Sequence, residues 1–471
     1  MSRPNSVEAE KLARCTARAL GGEYTVDGVR RLSGGASRET WAFDAHSTVD
    51  GVATTEQLVL RRDPGASSGQ IGRSTEFLLL DAVGRAGAPV PLVRFLLEAD
   101  DGLGDGFVME RIEGETIARR ILRDDEYAEA RPLLAAQCGE IAARIHAIDT
   151  AGLPSLDVLG PHEQIAQYRS LVEAFGEAHP AFELAFRWLE THAPEAPSGG
   201  PRLVHGDYRN GNFIVGPEGI RSVLDWELSH LGDPAEDFGW LCVRSWRFGV
   251  NDKLVGGFGD LEDLLTAYNA AGGTGVDAER VRYWEIFGTL KWGVICQMQC
   301  ASHVHGIVRS VENAMLGRRV AETEWDLLNL ITGDDPGPDP TWSLPALAAN
   351  SSSLTIHDSP SAQLLVEAVR EFLEKDVMPN TEGRISFHAR VASNALRMVE
   401  RELGIGHDVN EHARTQLATL LGVDAPLADL LQALAASIRN GADHDAPTIT
   451  AVRELVRAKL LVSDPNYTDP T

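Results

Sequence analysis

The stretch LVHGDYRNGNFIV, residues 203–215, constrains the fold of this chain more than any other feature. It contains a His-x-Asp unit, formed by His205 and Asp207, and an asparagine, Asn212, five residues after that aspartate. A second aspartate, Asp225, follows the next short apolar run. Apolar residues on both sides of the polar set predict short buried strands. The pattern therefore predicts a rigid loop that holds these polar side chains in a fixed arrangement.

These residue types suit phosphoryl transfer from a nucleoside triphosphate. Such a reaction uses a carboxylate to orient the attacking hydroxyl and accept its proton, and oxygen ligands to hold Mg²⁺. Asp207 is the candidate catalytic base, and His205 beside it is expected to brace the loop backbone. Asn212 and Asp225 are the candidate ligands of Mg²⁺. The alternative is that His205 and Asp207 are turn residues and Asn212 is a cap.

The run HGDYRNGN, together with LDWELSHLGDP at 224–234, resembles the aminoglycoside phosphotransferase family, and in particular the phosphotransferase-like domain fused to acyl-CoA dehydrogenases. The resemblance covers residues 25–332. It implies a protein-kinase-like fold, ATP and Mg²⁺ as cofactors, and a hydroxyl of a small molecule as phosphoryl acceptor. An aminoglycoside, a hydroxyacyl-CoA and a lipid-derived hydroxy acid all stay open as acceptors, and GTP stays open as donor.

The resemblance also implies nucleotide-binding residues in the first part of the chain. The run LVLR at 58–61 corresponds to the strand that carries a phosphate-binding lysine in kinases, but an arginine, Arg61, stands at that position. Period-two alternation places Val59 on the same face as Arg61, beside the adenine. Glu76, on a predicted helix at 70–86, is the candidate ion-pair partner of Arg61.

Two further segments are candidates for nucleotide contacts. The glycine-rich run LSGGASR at 32–38 lies between the first two predicted strands, where backbone N–H groups can approach phosphates closely. The predicted hinge to adenine lies at 107–112. The candidates in these two segments are Ser33, Gly34, Gly35, Ser37, Met109, Glu110 and Ile112.

The predicted fold class is α+β: a protein-kinase-like fold with two lobes, a small antiparallel β lobe and a large mainly helical lobe, followed by an all-α C-terminal domain. The β lobe takes residues 1–112, with strands at 29–32, 38–45, 57–62, 92–98 and 106–110. The helical lobe, with the catalytic loop and acceptor site, takes 113–332, and its first long helix is predicted at 126–149. The run rich in Pro, Gly and Ser at 333–353 predicts a linker. Amphipathic patterns in the remainder, 354–471, predict helices that include 384–403 and 408–421.

Composition narrows the class of protein further. The 471 residues are 43% hydrophobic and 24% charged, as in ordinary globular proteins. The net charge of −26 argues against a nucleic-acid partner. No apolar run predicts a membrane span, and the start MSRPNSVEAEKLAR lacks the apolar region of a signal peptide. Five scattered cysteines fit a reducing compartment, so a cytoplasmic location is expected.

A second class of function stays open beside catalysis. Arg61 at the position of the usual lysine, and a helical tail without a recognisable catalytic motif, allow a catalytically silent nucleotide-binding scaffold. In that case the C-terminal helices would dock a protein partner or support self-association.

Overall fold

The computed structural model divides the chain into two compact units. The first unit comprises residues 1–160 and 194–285, and the second comprises 161–193 and 286–471. The residues that the structure describes are 6–32, 39–49, 51–63, 71–333, 335–339, 360–441 and 446–468.

Several predicted features lie outside these ranges. The glycine-rich loop candidates Ser33, Gly34, Gly35 and Ser37 are among them. So is most of the predicted linker at 333–353. The division into two lobes, linker and tail domain stays a prediction.

The first unit contains the predicted five-stranded antiparallel sheet, in the order β1-β2-β3-β5-β4. Its strands are β1 (Tyr24–Arg31), β2 (Glu39–Val49), β3 (Val52–Asp63), β4 (Val93–Leu96) and β5 (Asp105–Glu110). A row of buried apolar side chains, including Phe43, Leu58, Leu60 and Val108, joins the sheet to Leu12 of the N-terminal helix. Burial of this face fixes the register, because a slip of one residue would turn every apolar side chain outward.

Two short strand pairs follow in the same unit and frame the loop with the polar set. The strands β6 (Arg202–Val204) and β9 (His230–Gly232) pair with each other, and β7 (Phe213–Gly216) pairs with β8 (Gly219–Val223). The helices of this unit are α1 (Ser6–Leu20), α2 (Arg73–Arg85), α3 (Ala118–Arg123), α4 (Leu134–His146), α7 (Ala235–Cys242) and α8 (Leu261–Ala270).

The predicted helix at 126–149 is wrong in its first part. The structure has a 3₁₀ turn at Arg131–Leu133, and the regular helix α4 begins only at Leu134. Pro132 lies in that turn, and proline cannot donate the backbone hydrogen bond of a helix interior. A proline is therefore tolerated where it stands, just before the helix begins.

The second unit is helical. Its helices are α5 (Pro161–Phe175), α6 (Pro180–Thr191), α9 (Ala278–Val304, whose first residues belong to the first unit), α10 (Val311–Leu316), α11 (Val320–Thr332), α12 (Ala362–Phe372), α13 (Gly383–Leu421), α14 (Leu427–Arg439) and α15 (Ala446–Ser463). None of the helices that the structure describes is long and apolar enough to cross a membrane.

The C-terminal helices and earlier helices of this unit share one apolar core. Leu184 of α6 and Trp325 of α11 pack in the same cluster as Leu417, Leu434 and Val456. Polar contacts reinforce the packing, since Arg439 of α14 donates to a carboxylate of α6 and Arg187 of α6 donates to a carbonyl of α14. The helices after residue 360 therefore belong to the same packed body as α6 and α11.

The predicted helices 384–403 and 408–421 are a single helix, α13, of 39 residues. The expected break at Gly404 and Gly406 is wrong. Glycine in a helix interior costs only about 1 kcal/mol relative to alanine, and no proline stands there to enforce a break. Gly406 and Val409 are buried, so packing of this stretch keeps the helix continuous.

We expect Leu417→Ala to lower the free energy of unfolding of the second unit by about 2–5 kcal/mol, because it leaves a cavity in the shared core. Leu417 is fully buried. Leu403→Ala is the matched control on the same helix, since its side chain is 53% exposed. Urea unfolding followed by far-UV circular dichroism measures both. Equal effects of the two substitutions would contradict the shared core.

Candidate active site

The loop between β6 and β7 is anchored by one buried carboxylate, that of Asp237 on α7. Its two oxygens accept hydrogen bonds from the backbone N–H groups of Gly206, at 2.9 Å, and His205, at 3.0 Å. The ring of His146 lies 3.1 Å from the same carboxylate. Burial alone would favour the neutral acid, but the hydrogen bond and charge of His146 lower the pKa of Asp237. Asp237 thus remains an ionised acceptor that fixes the start of the loop.

Gly206 is required at its position by both conformation and space. Its φ angle is +78°, in the left-handed region. A Cβ atom there would lie 2.4 Å from the carbonyl oxygen of Leu228. Only glycine fits this turn without displacing the backbone.

The ring of His205 makes two hydrogen-bond contacts within the loop and its surroundings. Its Nδ1 accepts from the backbone N–H of Asp207 at 3.1 Å, and its Nε2 lies 3.0 Å from the carbonyl oxygen of Leu224. Burial lowers the pKa of His205, which favours the neutral ring with the proton on Nε2. The imidazole therefore joins the catalytic loop to the strand end that precedes Asp225.

The carboxylate of Asp207 is fixed by three donors. Its Oδ1 accepts from Trp240 Nε1 at 2.7 Å and Arg209 Nε at 2.9 Å, and its Oδ2 accepts from Asn212 Nδ2 at 2.6 Å. Arg209 in turn lies 4.3 Å above the ring of Trp246. Each carboxylate oxygen has two lone pairs, so Oδ2 retains one that can accept a proton from a hydroxyl.

Asn212 and Asp225, the candidate metal ligands, each have a distinct local environment. Because Asn212 Nδ2 donates to Asp207, its amide oxygen is left as an acceptor. Asp225 has a φ angle of +69°, a left-handed conformation that costs a residue with a side chain about 1–2 kcal/mol. Such strain persists where the surroundings enforce it, most often at functional sites.

Arg61 contacts three carboxylates from two segments, helix α2 and the stretch 225–227. Its guanidinium lies 2.5 Å from Asp225 Oδ1, 3.0 Å from Glu76 Oε1 and 3.4 Å from Glu227 Oε2. Burial disfavours the charged form, but the charges of Glu76 and Asp225 outweigh it and raise the pKa of Arg61. The same guanidinium lowers the pKa of Asp225 despite its burial.

A second buried arginine completes this cluster. Arg73 on α2 forms two hydrogen bonds with Asp63, at 3.0 and 3.1 Å, and contacts Glu76. Arg61 and Arg73 thus face four carboxylates: Asp63, Glu76, Asp225 and Glu227. Two guanidinium groups and four carboxylates therefore lie close together in this cluster.

Among the described residues, no group of three or more His, Cys, Asp or Glu side chains could hold a metal ion on its own. The predicted Mg²⁺ ligands are one carboxylate and one amide oxygen, Asp225 and Asn212. Magnesium commonly takes one or two protein ligands and completes its shell with water and phosphate oxygens. The residues present therefore fit Mg²⁺ bound together with a nucleotide.

The predicted adenine contacts lie on adjacent strands. Val59 of β3 is opposite Met109 of β5, and both side chains are buried. The backbone N–H of Glu110 donates to the carbonyl oxygen of Leu92 at 2.9 Å, so this N–H is already engaged. Ile112 lies two residues beyond the end of β5.

Sequence reasoning missed three residues of this site: Asp237, Trp240 and Arg209. Asp233, near the start of helix α7, accepts from the N–H of Ala235 and from Trp284 Nε1. The available sequence signal for Asp237 was its position four residues after Asp233. The structure shows that it lies on a buried helix.

Comparisons with known proteins bear on the family and the fold. The profile of the phosphotransferase enzyme family (APH) matches residues 28–279, and that of a domain of unknown function, DUF6285, matches residues 379–467. A solved structure of a candidate aminoglycoside phosphotransferase from Ralstonia eutropha has a TM-score of 0.53 and 22% identity, and the match covers 68% of this chain and 97% of that one. At this identity the likeness shows the fold, and it confirms the predicted protein-kinase-like fold.

Two curated relatives extend the comparison. Mouse acyl-CoA dehydrogenase family member 10 is 34% identical over 217 residues, which is 43% of this chain and 20% of the relative. Chicken acyl-CoA dehydrogenase family member 11 is 24% identical over 398 residues, or 77% of this chain and 47% of the relative. The chain thus spans less than half the length of these two relatives.

We expect Asp237→Asn to lower the free energy of unfolding by about 1–3 kcal/mol, because one amide oxygen cannot serve both buried N–H groups. Urea unfolding measures the loss, and hydrogen exchange of the His205 and Gly206 amides locates it. Asp263→Asn, at an exposed position of α8, is the control. Unchanged exchange at the two loop amides would contradict the anchoring role.

The match to the APH profile covers more than half of the 471 residues, and the chain belongs to the phosphotransferase enzyme family.

Proposed function

We propose that this protein is an ATP- and Mg²⁺-dependent phosphotransferase that transfers the γ-phosphoryl group to a hydroxyl of a small molecule. The observation that carries the proposal is the fixed carboxylate of Asp207, held by Trp240, Arg209 and Asn212. A base that is already oriented contributes to the rate without further ordering when substrate binds.

The role of each residue follows from its contacts. Asp207 Oδ2 accepts the proton of the acceptor hydroxyl as its oxygen attacks phosphorus in line with the leaving nucleoside diphosphate. Asn212 and Asp225 would hold Mg²⁺, which neutralises the charge of the phosphates. Arg61 is the phosphate ligand, and its planar guanidinium can bind two phosphate oxygens at once. Glu76 keeps Arg61 in place at 3.0 Å.

The relatives suggest which acceptors to test first. Both are named as acyl-CoA dehydrogenase family members, and this chain matches only part of each. A hydroxyacyl thioester or its free hydroxy acid is therefore the first acceptor class, with aminoglycosides as the alternative. A cytosolic setting is part of the proposal, supported by the five cysteines, which are all free thiols.

We expect Mg²⁺ and ATP together to stabilise the protein, by about 2.7 kcal/mol at a hundredfold excess over the dissociation constant. Either ligand alone should stabilise it far less, since Asp225 and the phosphates share the metal. Asp225→Asn should lose the Mg²⁺-dependent part, whereas Asp263→Asn should keep it. Thermal unfolding with ATP, GTP or neither, with and without Mg²⁺, measures this. No nucleotide effect in the wild type would refute the proposal.

Asp207→Asn should lower the rate of phosphoryl transfer by about 10²–10⁴-fold, because the amide cannot accept the proton. Binding of Mg²⁺ and ATP should stay near that of the wild type, as Asp207 is not a proposed ligand. The rate is read from formation of nucleoside diphosphate with each acceptor, and binding from the thermal shift. A wild-type protein that binds nucleotide but shows no transfer to any acceptor would favour the silent scaffold.

A further inference from the structure

A large cavity lined by described residues lies within the second unit and contains none of the candidate catalytic residues. Its volume is about 730 Å³, within the range of pockets that hold small-molecule ligands. Its walls come from α5, α9, α10 and α11 on one side and from α13, α14 and α15 on the other. The residues matched by the two family profiles therefore line one cavity together.

Most of the wall is apolar. Phe175, Val304, Val409, Leu431 and Leu455 contribute to it, with several alanines between them. Covering this wall with hydrocarbon instead of water lowers the free energy by about 25 cal/mol for each Å² of apolar surface. The body of a fitting ligand is therefore aliphatic.

One end of the cavity is polar and contains a buried ion pair. Lys459 of α15 donates to both carboxylate oxygens of Glu324 on α11, at 2.8 and 3.0 Å. The ring of His179 lies 2.8 Å from the same carboxylate, and Gln297 Nε2 lies 2.8 Å from the other ring nitrogen. Burial favours the neutral form of Glu324, but the charges and hydrogen bonds of Lys459 and His179 outweigh it and lower the pKa of Glu324 to about 2.

The charges at this end are balanced. Glu324 has no exposed surface and neutralises Lys459, whose side chain is 36% exposed. At the same cavity Arg318 pairs with Glu402 at 2.7 Å, so that the charges of this pair also cancel. The remaining carboxylate, Glu177, lies 3.5 Å from His179 Nε2. Burial disfavours the charged ring, but the charge of Glu324 and the hydrogen bond to Glu177 raise the pKa of His179. Two carboxylates, Glu324 and Glu177, thus face an ammonium and an imidazole, and a charged ligand would find every opposite charge already paired.

Lys459 nevertheless retains donor capacity. An ammonium group has three N–H donors, and two of them are directed at Glu324. The third can donate to an oxygen in the cavity without disturbing the ion pair. An uncharged acceptor oxygen meets this donor at a lower desolvation cost than a carboxylate.

We propose that this cavity binds an uncharged, medium-chain aliphatic molecule that carries one hydroxyl or carbonyl oxygen, with the chain along the apolar wall and the oxygen at Lys459. The site lies outside the phosphotransfer machinery and does not depend on the proposed function. Because both groups of helices line it, the ligand also stabilises the second unit.

Three probes of equal chain length test the proposal: octanol, octanoate and octylammonium. Isothermal titration calorimetry should show one octanol site per chain, with octanol bound about tenfold more tightly than either ion. Ala458→Phe fills the cavity and should abolish binding, and Ala301→Phe serves if the first variant does not fold. Ala362→Phe, on the exposed side of α12, is the control and should bind as the wild type does.

A double substitution isolates the role of Lys459. Lys459→Met with Glu324→Gln removes the donor and keeps the charge balanced, so octanol affinity should fall about tenfold. No saturable octanol binding would overturn the proposal, and so would an ion that binds as tightly as octanol. Unchanged binding in both cavity-filling variants would place the ligand elsewhere and would also overturn it. Nucleotide-dependent stabilisation of the same samples reports separately on the phosphotransfer site.

Discussion

The buried guanidinium of Arg61 is the interaction on which the first unit depends. It joins the sheet through β3, helix α2 through Glu76, and the end of β8 through Asp225. Removing one partner of a buried ion pair costs about 3–5 kcal/mol, because the other charge is left without compensation. The cluster therefore fixes the three segments that carry the proposed phosphate and metal ligands with respect to one another.

Asp237 has the corresponding role for the catalytic loop. A buried carboxylate is expensive unless it is fully hydrogen-bonded, and here two backbone N–H groups and His146 supply the partners. The consequence is a loop whose start cannot shift without exposing a charge to an apolar interior. Asp207 is fixed in turn, because its backbone N–H donates to the Nδ1 atom of His205.

The sequence predicted what depends on local pattern and spacing, and missed what depends on packing. Alternation of apolar and polar residues predicted the sheet, and the His-x-Asp motif pointed to Asp207. Both signals lie within a few residues of one another. Trp240 and Asp207 are in contact although they lie 33 positions apart in the chain, and no local pattern predicts this contact. The unbroken helix through Gly404 and Gly406 shows the same limit, since burial of Gly406 decided the outcome against propensity.

Charge balance distinguishes the two sites physically. Around Arg61 and Arg73 two guanidinium groups meet four carboxylates. At the cavity, Lys459 and His179 meet the carboxylates of Glu324 and Glu177, so an added charge would find only paired groups and would lose its hydration. We propose the first arrangement for a metal-bound polyphosphate and the second for a neutral ligand. One family fold joined to added helices can in this way separate a site for charged substrate from a site for an apolar one.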